Sequence, residues 1–252
     1  MSITLSTIAS GSSGNSNLIV SGNTVIMSDC GISLKKALSG LYELGITKPD
    51  ALLISHSHSD HVKGAALIAK KFNIPIYLTE ETKKECTAIP DDCTIIIRPG
   101  ESFNISGVNI LPFSVSHDTA SPVAFSFSDN DDKASVITDT GIMTEEMFNH
   151  IKGSKSIIIE SNHDEKMLYE GPYPYFLKKR IAGNKGHMSN TLCASVCKSL
   201  AESGTEKFLL AHLSEHNNTE ELARECTTEV LSATGLKYIL KIAKKDLPIT
   251  SE

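Results

Sequence analysis

The run His56-Ser57-His58-Ser59-Asp60-His61 puts three imidazoles and a carboxylate into six residues, directly after the apolar stretch Ala51–Ile54. Neutral imidazole and carboxylate both hold divalent first-row metals. A chain carrying this run needs a fold in which a buried strand ends at a rim, so that the loop after it can aim its ligands. His56 and His58 can converge on one ion from a single loop. Asp60 and His61 lie at the mouth of the next helix and can turn towards a second. Paired ions about 3.5–4 Å apart are a common device for hydrolysing phosphodiesters.

Further ligands must come from distant segments. His117 follows the apolar strand Val108–Phe113, Asp139 follows Ser135–Thr138, and His212 follows Phe208–Ala211. Each repeats the setting of His56, which suggests one rim carrying one site, with Asp139 suited to bridging two ions. Glu160 ends the apolar strand Ser156–Glu160 and can orient an imidazole as a hydrogen-bond acceptor. His187 opens a helix after Gly183-Asn184-Lys185-Gly186. Free N–H groups at a helix start favour anions, so His187 can contact a phosphate or protonate a leaving oxygen. The small-residue loop Gly11–Ser16 lets backbone N–H groups approach an anion, with Ser12, Ser13 and Asn15 as added donors. It lacks the lysine of a phosphate-binding P-loop. His163 and His216 read as peripheral, and His150 as a charge partner at a helix end.

The pattern reads as strands and helices in two β-rich halves, approximately 1–120 and 121–245, forming a single domain over 1–252. Val62–Phe72 reads as one helix, Asp129–Asp132 as a hairpin turn, and the tail from Lys244 as polar and loose. Such halves can pack sheet against sheet with helices outside. With 252 residues, 40% of them hydrophobic, the chain is large enough for one sizeable core. Net charge is -6, so the total does not point to nucleic acid. Lys178, Lys179, Arg180 and Lys185 are the candidates for a local basic strip. Six scattered cysteines and the absence of a signal-peptide pattern read as reduced thiols in a cytoplasmic protein. Cys193 and Cys197, four apart on a helix, read as a buried pair. No apolar run is long enough to cross a membrane.

The His56–His61 run resembles the H-x-H-x-D-H mark of the metallo-β-lactamase superfamily. That resemblance implies an α/β, four-layer αβ/βα sandwich with a dinuclear site at one edge. It implies that His56, His58 and His117 hold one ion and Asp60, His61 and His212 the other, with Asp139 between them. Asp29, in Met27-Ser28-Asp29-Cys30-Gly31, resembles the family's early aspartate, which supports the histidine loop. Ser10–Ser16, Gly186-His187-Met188-Ser189-Asn190 and Leu210–Ser214 resemble the nuclease-type, YycJ/WalJ-like branch. The branch implies a DNA 5′-to-3′ exonuclease with two divalent ions, zinc or manganese. The attacking group would be a hydroxide activated by both ions. Asp60, Asp139 and His187 would be catalytic, and Ser189 and Lys185 would join the substrate contacts. A small-molecule or cyclic-nucleotide phosphodiesterase is the alternative, and a regulatory protein linked to cell-wall signalling a third. The reading involves no membrane and is compatible with a homo-oligomer.

Overall fold

The computed structural model describes residues 2–130 and 132–252. Asp131, in the turn expected at Asp129–Asp132, lies outside the described residues, as does Met1. The chain first lays down β1 (Ile3–Ala9), β2 (Ser16–Ser21) and β3 (Thr24–Ser28). Helix α1 (Leu34–Glu43) leads to β4 (Ala51–Leu53), then α2 (Ser59–Val62), α3 (Ala65–Phe72), β5 (Ile76–Thr79), α4 (Glu80–Glu85) and β6 (Thr94–Ile97). A second sheet begins with β7 (Phe103–Ile105), β8 (Val108–Ser114), β9 (Val123–Ser128) and β10 (Lys133–Ile137). It continues through α5 (Glu145–Ile151), β11 (Ser156–Glu160), α6 (Glu165–Glu170), α7 (Tyr175–Ile181) and α8 (Asn190–Glu202) to β12 (Lys207–Ala211), α9 (Glu220–Ser232) and β13 (Ile239–Ile242). The short β14 (Ile249–Thr250) returns to the first sheet, antiparallel to β1. Among the described residues each sheet has seven strands, ordered β14-β1-β2-β3-β4-β5-β6 and β13-β12-β11-β10-β9-β8-β7.

Strand alternation builds the layers. In β4, Ala51 and Leu53 face the core between the sheets, while Leu52 meets the helices outside. In β11, Ile158 faces inward and Ile157 and Ile159 face α8 and α9. Such strands are buried on both faces, which explains their unbroken apolar runs. Helices α1 and α3 cover one sheet and α5, α8 and α9 the other, giving the four-layer αβ/βα sandwich.

Three expectations change. The chain crosses between sheets after Ile97, so β7 and β8 join the second sheet well before residue 120. The helix expected over Val62–Phe72 is broken into α2 and α3. Gly64 lies in the break, donates to the Cys30 carbonyl at 2.7 Å, and passes so close to Ile32 that a Cβ would lie 2.1 Å from its carbonyl oxygen. The tail is not loose at its end. Ser251 is buried, and its N–H donates to the Leu5 carbonyl at 2.8 Å, because β1 would otherwise be an open edge.

Candidate metal centre and active-site cleft

Strands β3 and β4 run parallel, as do β10, β11 and β12, so their C-terminal ends gather at one rim. Three residues leaving this rim adopt left-handed backbone: Asp29 (φ 62°), Asp139 (φ 57°) and His212 (φ 56°). The conformation costs roughly 1–2 kcal/mol in a residue with a Cβ. Such strain clusters where side chains must be aimed.

Two groups of side chains with the donor atoms to hold a metal meet there. His58 Nδ1 lies 3.2 Å from His56 Nε2 and 3.2 Å from His117 Nε2. In the other group, His61 Nε2 is 3.4 Å from Asp60 Oδ2, and His212 Nε2 is 3.6 Å from the same oxygen. Asp139 lies between, with Oδ2 3.3 Å from His61 Nε2 and Oδ1 3.8 Å from His117 Nε2. Donors spaced this way match ligands arranged around ions at about 2.0–2.2 Å. Asp139 Oδ2 and His212 Nε2 are buried without a hydrogen-bond partner among the described residues. A cation is what both orphaned atoms lack, so the donor set fits divalent metals.

Most of the imidazoles are tied down on the side away from the centre. His56 Nδ1 donates to Ser55 Oγ at 3.0 Å, and Ser55 Oγ donates to Asp29 Oδ2 at 2.8 Å. His61 Nδ1 donates to Asp29 Oδ2 at 2.9 Å, and His117 Nδ1 to the Gly186 carbonyl at 3.1 Å. Glu160 Oε1 accepts from His187 Nδ1 at 2.7 Å and His212 Nδ1 at 2.8 Å. Each such bond fixes the tautomer and turns the other ring nitrogen inward. Asp29 and Glu160 lie behind these histidines, each accepting from imidazole nitrogens.

The electrostatics divide the histidines. Burial and the neighbouring His61 push His56 well below the ordinary histidine value, and burial with His117 lowers His58. Burial also opposes charge on His61 and His212, but carboxylates outweigh it. Asp139 and Asp29 hold His61 well above its usual value. Asp139, with Asp60 and Glu160, lifts His212 to about 10. Against the same desolvation, these imidazoles hold Asp60 and Asp139 well below the carboxylate range, and His187 and His212 bring Glu160 down to about 2.

Above the ligands lies a cleft of 390 Å³ whose wall includes Ser12, Asp118, Tyr173, Arg180, Lys185 and His187. Of the expected substrate contacts, Ser12, Lys185 and His187 line it. Asn15 does not: it is buried beneath Asp60, donating to Asp60 Oδ2 at 3.1 Å and accepting from Gly11 N–H at 2.9 Å. Ser13 is exposed and does not line the cleft. Ser189 caps α8 and donates to Glu165 Oε1 at 3.0 Å. Of the basic strip, Arg180 and Lys185 reach the cleft, whereas Lys178 donates to the Tyr169 carbonyl. Sequence reasoning missed Asp118. Its Oδ2 accepts from Arg180 Nε and Nη2, both at 2.6 Å, and its Oδ1 lies 3.5 Å from His117 Nε2. Its position directly after His117 was the available signal.

The model of the beta-lactamase superfamily domain matches residues 24–213, and the chain belongs to the metallo-β-lactamase superfamily, a family of metallo-hydrolases. Within it, the chain is 36% identical over 241 residues to exodeoxyribonuclease YycJ of Bacillus anthracis, covering 93% of this chain and 91% of that protein. It is 34% identical over 240 residues to exodeoxyribonuclease WalJ of Streptococcus pneumoniae, covering 92% and 89%. The fold is shared with the metallo-beta-lactamase fold protein YhfI from Bacillus subtilis, at TM-score 0.75 and 19% identity over 98% of this chain and 99% of that one.

Proposed function

We propose that this chain is a DNA exonuclease working from the 5′ end, a phosphodiester hydrolase served by two divalent ions, zinc or manganese. The observation that carries this reading is the meeting of two ligand groups across Asp139, on the floor of a cleft walled by His187, Arg180 and Lys185. The names of the relatives, exodeoxyribonucleases similar over nearly the whole chain, supply the substrate. Bound ions of this kind acidify water and neutralise charge on a phosphoryl group. His56, His58 and His117 would hold one, Asp60, His61 and His212 the other, with Asp139 shared.

The chain's own groups do the rest. Arg180 and Lys185 bind the phosphate from the cleft wall. Asp60 and Asp139 orient the attacking water as acceptors. Glu160 accepts the Nδ1–H of His187, so when the ring is doubly protonated the Nε2–H faces the cleft and gives its proton to the leaving oxygen, leaving the neutral ring with its proton on Nδ1.

Duplex DNA labelled at either end, incubated with manganese or zinc, tests the reading. Release from the 5′ end is expected. His58→Ala should lose metal and activity together. His187→Ala should keep its metal while cleavage falls about 10²–10⁴-fold. Wild-type protein that holds both ions and leaves DNA intact would overturn the proposal.

A further inference from the structure

The cleft uses only one face of α7, that of Leu177, Arg180 and Ile181. The rest of the arm formed by α6, α7 and the turn between them is left unexplained. Tyr169, Tyr173, Tyr175 and Phe176 crowd into it, in a chain with 8 Phe and 6 Tyr. Tyr175 is 67% exposed and Phe176 73%. Rings so bare contribute nothing to the core and invite a partner.

Cations accompany these rings. Lys179 and Arg180 follow Tyr175 and Phe176 by one helical turn, which sets them side by side. The Lys179 ammonium lies 4.8 Å from the centre of the Tyr175 ring. Arg180 is clasped by Asp118, which stands beside His58 and His117, so the arm is anchored to the metal-ligand loops. Tyr173 lines the cleft itself, making one surface from the arm to the ligands.

A chain of net charge -6 has here a basic, aromatic strip running out of its cleft. A row of flat rings flanked one helical turn on by cations suits the bases and phosphates of a single strand. A duplex hides the faces of its bases and offers the rings nothing to stack on. Resting on the nuclease reading above, we propose that this arm is a single-strand platform: Tyr175 and Phe176 stack on unpaired bases while Lys179 faces a phosphate and Arg180 joins the arm to the cleft. The substrate is then a DNA end carrying an unpaired stretch beside the cleft.

The chain contains no tryptophan, so Phe176→Trp installs a single fluorescent reporter on the platform. Oligodeoxythymidylate should bind this variant and quench its emission, whereas a blunt duplex bound at the cleft should leave the emission unquenched. The double variant Tyr175→Ala/Phe176→Ala should bind the oligonucleotide at least about tenfold more weakly at unchanged Tm. Lys179→Gln should flatten the dependence of log Kd on log salt by about 0.7. Bound oligonucleotide with unquenched emission, equal quenching by blunt duplex, or a double variant that binds like wild type would each overturn the platform. Wild-type cleavage of DNA alongside such a result leaves the nuclease reading standing. Ion-loaded wild type that neither binds nor cuts DNA removes both.

Discussion

Glu160 carries two imidazoles on one oxygen. Oε1 accepts from His187 and His212, and Oε2 accepts the N–H groups of Thr140 and Met188, both at 3.1 Å. Glu160→Gln keeps the shape but turns part of this acceptor into a donor. Metal affinity is expected to fall about 10–100-fold, read by competition with a chelator, and cleavage to fall with it. A second prediction concerns pH. In the metal-free chain His212 titrates near 10, against an ordinary 6.5. Its protonated form therefore stabilises the metal-free fold fully below about pH 6.5, and that contribution is lost as pH rises through 10. The Tm of chelator-treated protein should drop across this interval. An ion held by His212 would displace the same proton, so metal affinity is expected to rise over the same range. Calorimetry in two buffers of different ionisation enthalpy should detect the released proton.

At the level of elements, the histidine loop depends on Gly31. A Cβ there would lie 1.6 Å from the Asp60 carbonyl oxygen and 2.6 Å from His61 N, both backbone atoms that cannot swing away. Gly31→Ala should push α2 off the rim, destabilise the protein by about 1–3 kcal/mol, and lower its metal content on elemental analysis. The ends of β4 and β12 were legible in the sequence because a strand buried on both faces is a continuous apolar run, and those of β8 and β10 because each ends in apolar residues followed by polar ones that mark the rim. The turn that aims Asp29, Asp139 and His212 was not, since none of the three is the glycine that left-handed backbone favours. Asn15 was read as a donor to substrate because its loop is small and polar. Its partner Asp60 comes from 45 residues away, which local pattern does not reveal. The Asp118–Arg180 clasp, 62 residues apart, escaped for the same reason.

For the molecule as a whole, the last residues close what the first begin. β14 covers β1, and Leu5 N–H donates to Ser251 Oγ at 3.3 Å. A tail of mostly polar residues gave no sign of this, because the demand for pairing comes from the edge of β1. Deleting residues 247–252 should lower Tm by about 2–8 °C, as a loss of about 1–2 kcal/mol would, and the bared edge should promote aggregation seen by light scattering.

Both ligand groups draw on both sheets. His56, His58, Asp60 and His61 leave the first, while His117, Asp139 and His212 leave the second, and the His212 N–H crosses to Ser10 Oγ at 2.7 Å. Ions seated there would act as rivets through two plates. Withdrawing them would unlatch a whole seam, and loops far apart in the chain would loosen together rather than one by one.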